Sequence, residues 1–593
     1  LALHTVYQKR IEAYSHKLKA AKKHDRLFSA FRFAIILLAA FAGYLYLSEK
    51  WAGFLYIALA LVMGFVAVLF RHLKLRKHIK DLKNFVRINE NEKAYLKGDL
   101  MAFDGGTEWV KGDHLFSNDL DLFGTPSLFQ HINRTVTLAG KKKLASSLLS
   151  GNANTINYQQ QAVQELNPML DWRQGFLVSA RDIDENPNLV KHLQHWLSKS
   201  SKKSRVAQPW LLYPLAIIAI ALGVYWLISP TLQHFNWFTY AFGLNLVLVF
   251  SQYKFIKKEY DNLNAISKSL TLYSELLRHI ENQEFNSLHL QELKSNLAST
   301  SGKASATLGK LSKLLDGFDQ MNNVVALLVT NGLYHYHLHV LNGLYMWKKN
   351  HGRAIYQWLD TVAEFDQLVS KANYAYNHPQ FTYPKVAKEP VLKANNMGHP
   401  MISETKRVNN SLSFDDFRYA VLTGSNMSGK STFLRSIGVN MVLMKAGLPV
   451  CATQMAAYPF TLLSSMKVVD SLDKDESYFQ AEVIRLKRIQ TVLNEGQPCL
   501  VLLDEILRGT NSEDKRNGTR LYMEKIANNN AIGVIATHDI DIADLAQKQS
   551  GVFKALYFES KVKEGELLFD YKLRQGICTT PNATDLMRAQ GII

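Results

Sequence analysis

Two long stretches of the chain lack the mixing of apolar and charged positions expected of helices half-buried in a soluble core. Residues 51–70 form a run of 20 without Asp, Glu, Lys or Arg. As a helix rising about 1.5 Å per residue, such a run spans about the 30 Å of a bilayer core. Residues 33–48 form a similar uncharged run of 16, separated from the first only by Glu49 and Lys50, so the two predict a helical hairpin. Residues 206–253 form 48 consecutive uncharged residues, interrupted by the turn-like Ser229-Pro230 and the polar Gln233-His234, and predict a second hairpin. Soluble core helices keep a polar stripe, whereas these runs are apolar on every face, which favours four membrane spans over buried hairpins.

A third uncharged run, 321–347, differs because it carries Asn322, Asn323, Asn331, His335, His337, His339 and Asn342. It reads as a buried soluble helix. The i, i+2, i+4 spacing of its three histidines does not gather them on one helix face, so no metal site is assigned there.

Charge sharpens the membrane reading. The chain has 593 residues and a formal charge of +18, and residues 1–90 hold 16 Lys/Arg against 5 Asp/Glu. Lys17, Lys19, Lys22, Lys23 and Arg26 precede the first hairpin, and Arg71, Lys74, Arg76, Lys77 and Lys80 follow it. Lys199, Lys202, Lys203 and Arg205 precede the second, and Lys254, Lys257 and Lys258 follow it. Positive flanks of this kind put both chain ends and the intervening segment in the cytoplasm of a multi-pass inner-membrane protein. They also make the overall charge weak evidence for nucleic-acid binding. No cleavable leader is read at the start, and the chain begins at Leu1, which leaves open a longer native N-terminus. Three widely spaced cysteines, Cys451, Cys499 and Cys578, exclude a disulfide framework and fit a reducing compartment.

The last third carries the chemistry. Residues 419–432 read Tyr-Ala-Val-Leu-Thr-Gly-Ser-Asn-Met-Ser-Gly-Lys-Ser-Thr, and 424–431 satisfy G-x-x-x-x-G-K-[ST] after a strand-like run. Gly424 and Gly429 let the loop curl so that the N–H groups of Ser425, Asn426, Met427 and Ser428 turn inward, next to the positive end of a helix carrying Thr432. Lys430 is placed to reach the β and γ phosphates of ATP, and the Ser431 hydroxyl to ligate Mg²⁺. About 70 residues later an apolar run from Cys499 ends in Asp504-Glu505. Asp504 is placed to hold Mg²⁺ through its water shell, and Glu505 to polarise the attacking water. A third strand-like run, 531–537, ends in His538, positioned to sense the γ phosphate.

These residues resemble the MutS family of DNA mismatch repair ATPases, within the ABC ATPase class. The resemblance rests on residues 423–432, including Asn426 and Met427, and on Asp504-Glu505-Ile-Leu-Arg-Gly-Thr-Asn-Ser512. Gly398-His399-Pro400 and Ala536-Thr537-His538 fall in the family's order, and residues 122–134, Gly140 and 159–166 loosely resemble the start of its helical core. Arg407 stands where the family often has an aromatic for adenine stacking.

The resemblance implies a homodimer in which Ser477 completes the partner's site. It also implies DNA as a partner, with mismatch reading left open because a membrane hairpin replaces the family's N-terminal reading domains. The expected fold is an α/β P-loop (ABC-type) ATPase domain following a mostly α-helical core, with four transmembrane helices in two hairpins. The segments are a basic cytoplasmic stretch 1–30, hairpins 31–70 and 206–253, a MutS-like helical region 71–205, a lever 254–390 and the ATPase domain 391–593. The alternative function is a membrane-remodelling or transport-coupled ABC-class ATPase without DNA binding.

Overall fold

A stalk of two antiparallel helices, Ala2–Glu49 and Ala52–Tyr95, dominates the N-terminal part of the computed structural model. The structure describes residues 2–112, 114–181, 185–198, 209–299, 302–318, 323–467, 478–543, 551–563 and 566–577. Ser477, Cys578 and the basic flank 199–205 lie outside them.

At about 1.5 Å per residue the 48-residue first helix is about 70 Å long. Both helices continue unbroken from charged into apolar sequence. Their near ends grip the body: Tyr7 donates to Asn377 Oδ1 at 2.7 Å, and Arg10 pairs with Asp171 at 2.6 Å. Their far ends, joined at Lys50 and Trp51, project Phe33, Leu37, Phe41, Tyr56, Met63 and Phe70 outward.

Among the described residues two helices, not the four expected, are long and apolar enough to cross a membrane, and both belong to the stalk. The second hairpin does form, as helices Pro209–Ile228 and Leu232–Ser251. The described apolar part of the first is shorter, Leu212–Ile228, while the second carries Gln233, His234, Asn236 and Asn245. Asn245 is buried and donates to Gly332 O at 2.8 Å, so this hairpin packs against helix Val324–Tyr334.

The run 321–347 differs from the expectation of one buried helix. It divides into Val324–Tyr334 and Tyr336–His351, broken at His335, whose φ of +51° is left-handed. The first piece exposes Val324, Val325 and Val329, while the second buries Leu338, Leu341, Leu344 and Trp347.

The helical body is organised around Ala354–Asn377, a 24-residue helix buried along most of its length. A buried polar knot joins it to the stalk. Arg134 Nε bonds Glu92 Oε1 at 2.6 Å, and Asn373 and Asn377 donate to the same carboxylate at 3.0 and 2.8 Å. Such a buried pair is tolerable because its lone pairs are filled.

The C-terminal part contains a six-stranded sheet in the order Glu566–Gln575, Phe553–Lys563, Tyr419–Thr423, Ala531–Ala536, Cys499–Asp504, Thr461–Ser465. All neighbours are parallel except the first pair. Strands Tyr419–Thr423, Cys499–Asp504 and Ala531–Ala536 are buried throughout, which is why they read as unbroken apolar runs rather than alternating ones. A second, four-stranded sheet pairs Lys385–Val386, Gln454–Ala457, Leu392–Met397 and Asn410–Ser413 in that order.

Candidate functional site

The carboxyl ends of three central strands converge on one place, where ligand crevices form in open α/β sheets. Strand Tyr419–Thr423 leads through the loop 424–429 into helix Lys430–Lys445. Two loop positions require glycine. Gly424 has φ +148°, and a Cβ there would lie 2.7 Å from Ser428 Oγ and 3.0 Å from Phe558 O. Gly429 has φ +102° and faces Tyr571. Met427 also has positive φ and is 84 % exposed. Ser425 Oγ lies 2.9 Å from Ser560 Oγ, Asn426 and Thr432 are exposed, and Ser431 is half-buried at the start of the helix.

Lys430 is buried, and its ammonium folds back over the loop to donate to Gly424 O at 2.8 Å and Ser425 O at 3.0 Å. Burial lowers its pKa, an effect opposed by the nearby Glu505 and Asp504 carboxylates.

Glu505 stands directly after strand Cys499–Asp504, where its φ of +51° turns the chain and its N–H donates to Ala536 O at 2.9 Å. One carboxylate oxygen meets His538 Nε2 at 2.6 Å and Lys430 Nζ at 3.8 Å, and the other lies 3.4 Å from Arg508 Nε. Burial raises the Glu505 pKa, but His538, Arg508 and Lys430 outweigh it and hold the group below the ordinary carboxylate value. His538 Nδ1 lies 3.5 Å from Lys430 Nζ, which closes a Lys430–Glu505–His538 triangle.

Asp504 is buried with Oδ1 unpartnered, and Ser428 Oγ is likewise buried without a partner. Buried polar atoms are ordinarily satisfied, so orphans at a strand end and inside a glycine loop mark positions suited to an incoming group. Beside them opens a cavity of about 600 Å³ whose walls include His399, Arg407, Asn426, Lys430, Ser431, Glu505, Arg508 and Tyr571. The structure thus brings together the loop, Asp504, Glu505 and His538, which lie up to 114 residues apart in sequence.

Two contributors carried no role in the sequence reading. Arg508 reaches both acidic residues, lying 3.8 Å from Asp504 Oδ2 as well as 3.4 Å from Glu505. Glu482, 2 % exposed, accepts from the backbone N–H groups of Leu507 at 2.7 Å and Arg508 at 3.1 Å. It anchors the turn that follows Glu505, and nothing local in helix Tyr478–Leu493 marks it out. Arg407 lies 5.6 Å above the Phe381 ring and bonds Asn409 and Ile402 O.

Comparison with known proteins finds similarity in the same part of the chain. Residues 420–590 match the family model of MutS domain V. The DNA mismatch repair protein MutS of Leptospira interrogans is 32 % identical over 205 residues, covering 32 % of this chain and 24 % of that protein. MutS of Haloquadratum walsbyi is 27 % identical over 243 residues, 39 % of this chain and 25 % of its own length. The human MutS protein homolog 4 is 28 % identical over 251 residues, again 39 % and 25 %. The C-terminal part of the chain is thus similar to domain V of the MutS family. The match spans about a quarter of the length of these curated relatives.

Proposed function

We propose that the chain is a Mg²⁺-dependent ATPase of the MutS family, held at a membrane by its stalk, with ATP binding and hydrolysis coupled to DNA. The observation that carries the ATPase reading is the convergence of Lys430, Glu505 and His538 beside two orphaned polar atoms, Ser428 Oγ and Asp504 Oδ1.

These residues fit a triphosphate and its metal. The glycine loop has the curl and the helix N-terminus that favour bound phosphate. Ser431 and Asp504 supply the hard oxygen donors that Mg²⁺ prefers, and Lys430 supplies positive charge. Mg²⁺ held there by Ser431 and Asp504 would supply charge neutralisation to the triphosphate. Lys430 must release the Gly424 and Ser425 carbonyls to turn toward phosphate. Glu505, kept ionised by its three cationic or hydrogen-bonding neighbours, accepts a proton from water, and His538 fixes its orientation.

The membrane reading rests on the exposed apolar stalk tip, with the basic flanks assigning the ATPase domain to the cytoplasmic side. DNA binding rests on relatives named DNA mismatch repair proteins, and a homodimer with Ser477 acting across it rests on the sequence resemblance alone. The stalk favours a second reading, a membrane-remodelling or transport-coupled ATPase without DNA.

Substituting Glu505→Gln is expected to leave Mg·ATP binding intact and slow turnover about 10²–10⁴-fold, the usual contribution of a general base. Unchanged turnover removes Glu505 from its role. Stimulation of the wild-type rate by duplex or mismatched DNA at low salt, where phosphate contacts are strongest, supports the first reading, and stimulation by lipid alone supports the second.

A further inference from the structure

We propose that the neck of the stalk is a binding surface for anionic phospholipid headgroups; this rests on the membrane reading above and goes beyond it by naming the lipid class. The stalk helices have three zones. Near the body they are held by Tyr7, Arg10 and Lys93, which donates to Gln8 at 2.7 Å. Beyond Phe33 and before Phe70 they are apolar and exposed. Between these zones lies a belt of cations.

The antiparallel pairing sets their heights. Asp25 Oδ1 lies 2.8 Å from His72 Nε2 and 3.5 Å from Arg76 Nε, so residue 25 of one helix is level with residues 72–76 of the other. Lys22, Lys23 and Arg26 therefore stand at nearly the same height as Arg71 and Lys74. Lys22 to Arg26 covers four residues, about 6 Å of axial rise. All five side chains are exposed and none has an ion pair among the described residues. Asp25, the one acid within this height, is already engaged by His72 and Arg76.

Five like charges in one plane repel one another unless a layer of anions compensates them. Two observations select a lipid surface over a nucleic acid as that layer. The belt directly adjoins the exposed apolar zone, and Leu27, Phe31, Phe70 and Leu73, each more than 50 % exposed, are interleaved with its cations. Long cationic side chains beside apolar ones suit the headgroup boundary, where the stems stay in apolar surroundings and the charges reach phosphate. Arg32, six residues beyond Arg26 on the same helix, follows the same pattern: its guanidinium lies 5.2 Å from the Phe65 ring centroid and 3.0 Å from His72 Nδ1.

In the test, the full chain is reconstituted into vesicles of phosphatidylcholine alone or mixed with phosphatidylglycerol and re-extracted in neutral detergent. The retained phospholipid is then identified by mass spectrometry. Phosphatidylglycerol is expected to be enriched several-fold over its share of the vesicle at low salt. Enrichment should fall toward unity at high salt and in the combined Lys22→Gln, Lys23→Gln, Arg26→Gln, Arg71→Gln, Lys74→Gln variant. Arg26→Lys with Arg71→Lys is expected to retain it, which separates lost charge from a misfolded stalk. Insertion with no preference between the two lipids overturns the headgroup proposal and leaves the membrane reading standing. Failure to insert into either vesicle overturns both. Retention of a short DNA duplex by the belt without phosphatidylglycerol enrichment overturns it in favour of a nucleic acid.

Discussion

Leu502 in strand Cys499–Asp504 and Leu37 in the first stalk helix both sit in uncharged apolar runs, yet Leu502 is fully buried and Leu37 is 54 % exposed. The strand is covered because parallel neighbours Thr461–Ser465 and Ala531–Ala536 flank it and helices lie over the sheet. Among the described residues the stalk tip is covered chiefly by its partner helix, and two helices touching along one seam leave most of each surface outside. Apolar patches of that extent on a soluble monomer mark an interaction surface. The same composition therefore serves as a core in one region and as an exposed apolar surface in the other, and the difference lies in what packs against it.

The contrast can be broken most sharply by placing one charge in each region. Leu502→Asp buries an unpaired carboxylate between two layers and is expected to abolish folding of the C-terminal part, a loss above about 4–5 kcal/mol, read as loss of its cooperative melting transition. Leu37→Asp is expected to leave that transition unchanged in detergent and to disfavour bilayer insertion by about 3 kcal/mol, read by vesicle flotation. Equal damage to melting from both substitutions would show that the stalk tip is core.

Acid should separate the regions less steeply. Burial, with nearby cationic groups, lowers the pKa of His131 to about 3 and those of His378 and His399 to about 4. The unfolded chain protonates these imidazoles near pH 6.5, whereas the folded one resists until about pH 4. Unfolding therefore takes up protons in that window. Stability is fully present above about pH 6.5 and falls as pH drops toward 4. The denaturant midpoint should follow this slope, and His378→Gln should flatten it. The stalk tip has no histidine between residues 33 and 70 and contributes nothing to the effect.

The smallest effect concerns the junction between the regions. Tyr95 ends the second stalk helix, and its hydroxyl lies 3.3 Å from both His131 Nδ1 and His378 Nε2. His378 stacks on Phe381 at 4.7 Å, and Arg407, over that ring, lines the cavity. Tyr95→Phe is expected to cost about 1 kcal/mol of stability, read by denaturant unfolding, because it deletes hydrogen bonds without opening a cavity.

Much of the site was legible because its signals are local. The glycine spacing before Lys430 and the apolar strand ending in Asp504-Glu505 are short-range patterns, since a backbone curl and a doubly buried parallel strand each constrain adjacent residues. Arg508 and Glu482 were not legible as parts of the site. Their roles come from reaching across to other elements, and no periodicity encodes the 2.7 Å contact between Glu482 and the Leu507 N–H. The break at His335 was not legible for a related reason: a left-handed histidine inside an uncharged run carries no glycine or proline signal.

By itself the sequence determined which segments are apolar, where a phosphate-suited loop begins and which carboxylates follow a strand, because each depends on residues adjacent along the chain. Tertiary structure alone decided which apolar segments are covered and that Glu505 meets His538 at 2.6 Å. Those outcomes depend on partners brought from distant positions, and hydropathy says how strongly a surface seeks cover without saying what will cover it.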